Sequence, residues 1–181
     1  MTGMDARRKD RMKKTQNKIL TNTGMGEVIA FHRRSGHKIV FTNGCFDILH
    51  VGHVRYLSHA ASLGDLLVVG LNSDLSVKSI KGELRPIVPE HQRTEVLAAL
   101  ACVGYITMFD ASDPYELIRA IQPDVLVKGA DWAEDEIIGA DIVKAKGGQV
   151  VRAPVIGGVS TTGLIQRIFD LRQNQEGKGP S

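Results

Sequence analysis

The sequence predicts an α/β domain built on a doubly wound parallel sheet. Short runs such as "DLLVVGL" and "DVLV" are apolar throughout rather than alternating, as strands buried on both faces are. Segments with helical spacing separate these runs, which is the pattern of β–α–β units. The unusual polar and glycine-containing stretches fall just after each run, where ligands bind in such sheets.

Taken in order, "GEVIAFHRRSG" has the spacing of a helix that stops at Gly36, and "KIVFTNG" reads as the first buried strand. "GHVRYLSHAASLG" sets Val54, Leu57 and Ala61 at helical spacing and ends at Gly64, before the second strand in "DLLVVGLNSD". From Asn72 to Glu90 neither period is visible, so a long structureless connection is expected, of the kind that is functional or mobile. Pro89 to Ala101 reads as an amphipathic helix and "VGYITMF" as the third strand. "PYELIRAIQ" is a helix with Pro114 in its first turn, and "DVLVKG" is the fourth strand. Short helices through residue 146 lead to a fifth strand in "GQVVRAP", and the pattern is helical again from Ser160 to about Arg172. No repeat or second core interrupts this, so one domain is expected over residues 17–173, with flexible tails at 1–16 and 174–181.

A chain of 181 residues with 43% hydrophobic content suits one soluble domain, and no apolar run is long enough to span a bilayer. Charges occupy the N-terminus where a signal peptide needs an apolar stretch, so a cytoplasmic location is expected. Cys45 and Cys102 do not make a disulfide framework and read as reduced thiols. The net charge of +3 is concentrated in residues 1–14, which hold six basic and two acidic side chains, and the remaining chain is nearly neutral. The run "RRKDRMKK" has the composition of a nucleic-acid or anionic-lipid arm. Aromatics at 5% and a body without positive excess favour a solvated tail instead, so neither nucleic acid nor membrane is an expected partner.

The most informative stretch is "FTNGCFDILHVGH". His50 and His53 lie three apart at the start of a helix, so they share one face above the sheet. That first turn offers unpaired N–H groups and the positive end of a dipole, and Gly52 leaves room for close approach. Neutral or protonated imidazoles there can donate hydrogen bonds to phosphate oxygens as charge builds in a transition state. A metal site is the competing functional reading, since Asp47 precedes the pair at the same spacing and Cys45 is close by. Helix capping alone is the structural one. The connection after the second strand adds cations at Lys78, Lys81 and Arg85, with Arg93 on the next helix. Ser160, Thr161 and Thr162, behind two glycines, supply either a helix cap or a second anion cradle. Two cradles and a cationic loop suit a triphosphate. The P-loop pattern is absent, and "GMGEVI" lacks the third glycine of a dinucleotide fingerprint and precedes the first strand.

These residues resemble a known family. "GCFDILHVGH" is similar to the H-x-G-H signature of cytidylyltransferase-like nucleotidyltransferases, and "STT" to their second signature before the last helix. With "NSD", "KGELRPIVPEHQR", "VLVKGADW" and "STTGLIQRI", most of residues 39–168 resemble the D-glycero-β-D-manno-heptose 1-phosphate adenylyltransferases. The resemblance implies a Rossmann-like nucleotidyltransferase fold and the synthesis of ADP-heptose and pyrophosphate from ATP and the sugar 1-phosphate, with Mg²⁺ bridging the phosphates, for lipopolysaccharide-type glycans. It implies that His50 and His53 stabilise the α-phosphate transition state, that Lys81 neutralises the transferring phosphates and that Arg93 assists. Ser160, Thr161 and Thr162 would hold the β- and γ-phosphates. Thr42, Gly44, Phe46 and Gly52 would contact ATP, and Lys128, Gly129, Asp131 and Trp132 would border the nucleoside, Trp132 having core packing as its alternative. Asp47, Asn72 and Arg85 would face the sugar phosphate. No protein metal ligands are assigned, and a homodimer is implied. Some members are fused to a sugar kinase, for which the roughly 36 residues before the first strand are too few, so a stand-alone form is expected. Glycerol-3-phosphate cytidylyltransferases place Arg-Thr before their Ser-Thr-Thr where this chain has "PVIGGVSTT", which argues against a cytidylyl donor. Transfer to another small phosphate, such as glycerol 3-phosphate, is the alternative within this class; a non-catalytic nucleotide- or metal-binding protein is the alternative outside it.

Overall fold

A computed structural model describes residues 15–130, 133, 136–154 and 158–176. Their elements run β1 (Ile19–Leu20), α1 (Asn22–Arg34), β2 (Ile39–Gly44), α2 (Val51–Ala61), β3 (Leu66–Asn72), α3 (Asp74–Lys81), α4 (Glu90–Ala98), β4 (Tyr105–Phe109), α5 (Tyr115–Ile121), β5 (Val125–Gly129), α6 (Ala140–Ala145), β6 (Gln149–Ala153) and α7 (Thr161–Glu176). One six-stranded sheet has the order β1-β4-β3-β2-β5-β6, and every pairing is parallel.

Alternate residues of the strands point to opposite faces, and each face finds its own helices. Val40, Val69 and Val127 pack with Leu57 and Ala60 of α2 and Leu97 of α4. Phe41, Val68 and Leu126 pack on the other face with Met25 and Ile29 of α1 and Leu117 and Ile118 of α5. This two-sided burial is why the strands read as unbroken apolar runs. It makes the sheet doubly wound, as the sequence predicts.

Two expectations need correction. The connection from residue 72 to 90 is not structureless: Asp74–Lys81 is helical, started by the Ser73 hydroxyl accepting from Ser76 N at 3.2 Å. Only the part beyond Gly82 lacks regular structure, and Gly82 ends the helix at φ 90°, where a side chain would be strained. A sixth strand, Ile19–Leu20, pairs with Ile106 and Thr107 and extends the sheet edge beyond the five strands expected.

After β2 the chain lays β3 and β4 on one side, then returns to lay β5 and β6 on the other. The adjacent β2 and β5 therefore form the topological switch point. Their carboxyl ends open a crevice, the usual ligand position in such sheets.

Candidate active site

A cavity of about 360 Å³ occupies that crevice. Gly44 at the end of β2, Phe46 and Asp47 just after it and His53 in α2 reach it, as do Asn72 at the end of β3, Lys81 and Arg85 beyond it, and Lys128 and Gly129 of β5. Thr161 at the start of α7 completes the set. Residues widely spaced in the chain thus meet because each ends or follows a strand on the same sheet edge.

The histidines cap their own helix. His50 is the N-cap of α2, and its Nδ1 accepts from Gly52 N at 3.1 Å. His53 Nδ1 accepts from His50 N at 3.4 Å, and the two rings stack with centroids 3.9 Å apart. A neutral ring that accepts at Nδ1 carries its proton on Nε2, so each imidazole is set as an Nε2–H donor. The charge state follows from the surroundings: burial, then the neighbouring His50 and Lys81, lower the His53 pKa to about 4. Burial lowers that of His50 as well. Both shifts favour the neutral rings near pH 7, the uncharged of the two states the sequence left open. His53 faces the cavity, whereas His50 backs it through the stacked ring.

Capping and anion binding are both served here, and Gly52 explains how. A Cβ at that position would lie 2.9 Å from the His50 ring and 3.8 Å from Val159 O. The first turn of α2 therefore lies beside the chain entering α7, and two helix N-termini converge on one end of the cavity. Phe46 supports the same corner. It holds φ 44°, uncommon for a side chain of this size, with its ring 5.4 Å from that of His53, edge to face.

Several expected ligand residues are already committed to the protein. Thr42 is fully buried and does not line the cavity: its hydroxyl pairs with Tyr56 Oη at 2.6 Å and with Val127 O at 3.0 Å, tying α2 to β5. Arg93 is 1% exposed and lies beneath the cavity. Its guanidinium donates to Val88 O at 2.9 Å, Cys45 O at 2.5 Å, Asn72 O at 2.8 Å and Asp74 Oδ1 at 2.7 Å. It fastens together the segments that follow β2 and β3 and the one that precedes α4, so it is a positioning residue in this conformation. Asp47, 4% exposed, accepts from Arg85 Nε at 2.7 Å, Ile87 N at 2.9 Å and Val88 N at 2.8 Å. Burial alone would raise its pKa, but the two backbone donors and Arg85 overcome that and hold the carboxylate below its usual range. Asp47 and Arg85 both touch the cavity, yet each is the other's partner. Asn72 reaches it with its amide bonded to Ser76 Oγ at 2.9 Å.

Lys81 is different. It ends α3 at the cavity wall, close enough to His53 and Cys45 to act on their titration, and no hydrogen bond or ion pair engages its ammonium among the described residues. Lys128 bonds to Asn43 Oδ1, which also lines the cavity. At α7, Ser160 takes the capping role, its hydroxyl accepting from Gly163 N at 3.0 Å, which leaves Thr161 to face the cavity; Thr162 is exposed. Asp131 and Trp132 lie outside the described residues. Sequence reasoning missed Tyr56, and Ser112 and Asp113 in the segment after β4, all on the cavity wall. "FDASDP" does stand at a strand's carboxyl end, so its position was the available signal. Among the described residues, no group of three or more His, Cys, Asp or Glu side chains could hold a metal ion.

Comparison with known proteins agrees with this geometry. Residues 41–167 match the family described as cytidylyltransferase-like. The bifunctional protein HldE of Syntrophotalea carbinolica is 48% identical over 154 residues, covering 85% of this chain and 31% of that protein. HldE of Magnetococcus marinus is 51% identical over 140 residues, covering 77% and 29%. The chain thus spans about a third of the length of these curated relatives. The crystal structure of a lipopolysaccharide core biosynthesis protein from Thermoplasma volcanium has a TM-score of 0.55 at 30% identity, covering 67% of this chain and 98% of that one. Pantoate-beta-alanine ligase from Francisella tularensis shares the fold alone, at a TM-score of 0.53 and 16% identity over 75% of this chain and 66% of its own. With the family signature matched over most of its sequence, and the signature residues gathered at the switch point of a doubly wound sheet, this chain belongs to the cytidylyltransferase-like family.

Proposed function

We propose that this chain is an adenylyltransferase that moves AMP from ATP to D-glycero-β-D-manno-heptose 1-phosphate, giving ADP-heptose and pyrophosphate. The observation that carries the reading is the convergence of a neutral His53 donor, the ammonium of Lys81 and the Thr161 end of α7 on one cavity. The resemblance to heptose 1-phosphate adenylyltransferases supplies the substrates, and a relative titled as a lipopolysaccharide core biosynthesis protein supports the glycan setting.

In this reading a phosphate oxygen of the sugar attacks the α-phosphorus of ATP. The new O–P bond forms as the bond from the α-phosphorus to the bridging oxygen breaks, and that oxygen leaves with pyrophosphate. The nucleophile is already ionised, so no general base is needed and no covalent enzyme intermediate forms. His53 suits this role because its Nδ1 is occupied and its Nε2 carries a proton: it can donate to a developing charge but not take a proton up. Lys81 offsets charge on the transferring phosphates, and Thr161 with the first turn of α7 receives the β- and γ-phosphates. Lys128 and Gly129, with Asp131 and Trp132, border the nucleoside. Mg²⁺ belongs to the proposal as an ion carried by the triphosphate, since Mg²⁺ is commonly held through substrate phosphates rather than a protein cage, and the nearby Asp47 carboxylate is already saturated. A cytoplasmic location and a homodimer complete it; no helix among the described residues is long and apolar enough to cross a membrane.

The test is pyrophosphate release with Mg²⁺, crossing ATP, CTP and GTP against heptose 1-phosphate anomers and glycerol 3-phosphate. Release confined to ATP with a heptose 1-phosphate is the expected result. Release with CTP and glycerol 3-phosphate instead would keep the site chemistry and replace both substrates, and silence across the panel would leave a binding protein.

A further inference from the structure

The cavity has two walls of unlike chemistry. His53 and Thr161 stand on the α2 face of the sheet, where the chain entering α7 lies beside Gly52, and Lys81 is close enough to His53 to lower its pKa. The other wall is built by segments that pack on the opposite face: Ser112 and Asp113 lead into α5, and Ile137 is buried with Ile118 of that helix. The first wall offers His53 and Lys81 as donors, with the Asp47 carboxylate already held by Arg85 and the backbone, whereas Asp113, Ile137 and Ile138 line the second. A polyphosphate is repelled by carboxylates and belongs on the first wall; an uncharged, hydroxyl-bearing group belongs on the second.

Direction along the sheet edge then separates the two substrates. In-line transfer puts the attacking and leaving oxygens on opposite sides of the phosphorus. Thr161 begins the helix that follows β6, so pyrophosphate leaves on that side. Asn72 ends β3 and Asp113 follows β4, so the acceptor enters there. Of the cavity-lining carboxylates on that side, Asp47 is saturated by Arg85 and the backbone. Asp113 is not: Oδ1 accepts from Tyr115 N at 2.9 Å, and Oδ2 has no partner among the described residues. Asp113 also lines a second cavity of about 280 Å³, with Asn22, Asp110 and Met25 among its walls, and is the one described residue common to both.

We propose that Asp113 is a specificity-determining residue for the acceptor: its carboxylate accepts hydrogen bonds from sugar hydroxyls and selects a polyhydroxylated phosphate over a small one. This inference rests on the adenylyl-transfer reading given above.

The variant to make is Asp113→Ser, whose hydroxyl can still accept from Tyr115 N while the carboxylate is withdrawn. Steady-state pyrophosphate release, with each substrate varied at saturation of the other, is compared with the unmodified protein. Loss of a hydrogen bond to a charged group corresponds to roughly a 10- to 100-fold rise in the KM for heptose 1-phosphate. The KM for ATP should stay within about twofold, and Asp113→Asn, which keeps an acceptor oxygen, should recover part of the loss. A sugar KM unchanged in Asp113→Ser, or a KM for ATP that rises in parallel, would overturn the assignment while leaving adenylyl transfer standing. Silence of the unmodified protein toward every sugar phosphate would overturn both.

Discussion

Replacing Arg93 by alanine should unfold much of the crevice without removing a group that touches substrate. The guanidinium is 1% exposed and holds three main-chain carbonyls together with Asp74, so alanine leaves buried acceptors unpaired as well as a void. Removing one partner of such a buried charged network costs about 3–5 kcal/mol, from a total that is about 5–15 kcal/mol for a typical domain. With a urea dependence near 2 kcal/mol per molar, the unfolding midpoint should fall by roughly 1.5–2.5 M. Arg93→Lys can reach only some of the four acceptors with its compact ammonium and should lose about half as much. Urea titrations followed by circular dichroism give the midpoints, and pyrophosphate release per folded molecule gives the activity. A midpoint shift below about 0.5 M combined with a hundredfold fall in kcat would refute the reasoning and return Arg93 to the substrate.

Lys81→Ala should lower kcat by roughly 100- to 1000-fold with little change in the Kd for ATP, if the ammonium acts mainly on charge that develops in the transition state. Stopped-flow or equilibrium ATP binding beside steady-state rates separates the two, and an equal loss in binding with kcat preserved counts against it. Gly52→Ala should drive the His50 ring from its cap, because the new methyl would lie 2.9 Å from it, and should depress kcat while circular dichroism remains native. Unaltered kinetics in that variant would mean that the stacked pair is not needed. His53 carries a pH signature with a definite sign: its folded pKa of about 4 is below the unfolded value near 6.5, so the unfolded chain binds the extra proton between those values. Stability should therefore fall as pH is lowered from about 6.5 toward 4, and His53→Gln should flatten that slope in urea midpoints measured over the same interval.

The strands were legible because burial on both faces removes the need for alternation, leaving short apolar runs such as "LLVV" that are too brief for a helix and bounded by polar or glycine residues. Ile19–Leu20 was not, since two residues carry no period and the strand exists through its pairing with Ile106 and Thr107. Helix α3 hid for another reason: of its apolar residues only Val77 is buried, while Leu75 and Ile80 are exposed, so no single stripe marks it. Ser73 before Asp74, with Gly82 after Lys81, was the signal to use instead. At the site, residue types pointed to His53, Lys81 and Thr161, which the fold brings to one cavity, but no local pattern tells a polar side chain that faces an open cavity from one that meets its own backbone. Thr42, Asp47 and Arg93 are of the second kind, and their partners lie at Val127, Ile87 and Cys45, distances along the chain that only folding reveals.

The close approach of Gly52 to Val159 O brings together two segments about a hundred residues apart, closing a long loop. Such a contact is slow to form and late to arrive, because chain entropy resists bringing distant ends together. The β2–α2 corner, by contrast, is capped by residues two and three apart and needs no long closure, whereas the hydroxyl wall at Thr161 meets it only once that loop is closed. On refolding from denaturant the two walls of the cavity should therefore assemble at different times, the histidine corner before the Thr161 side.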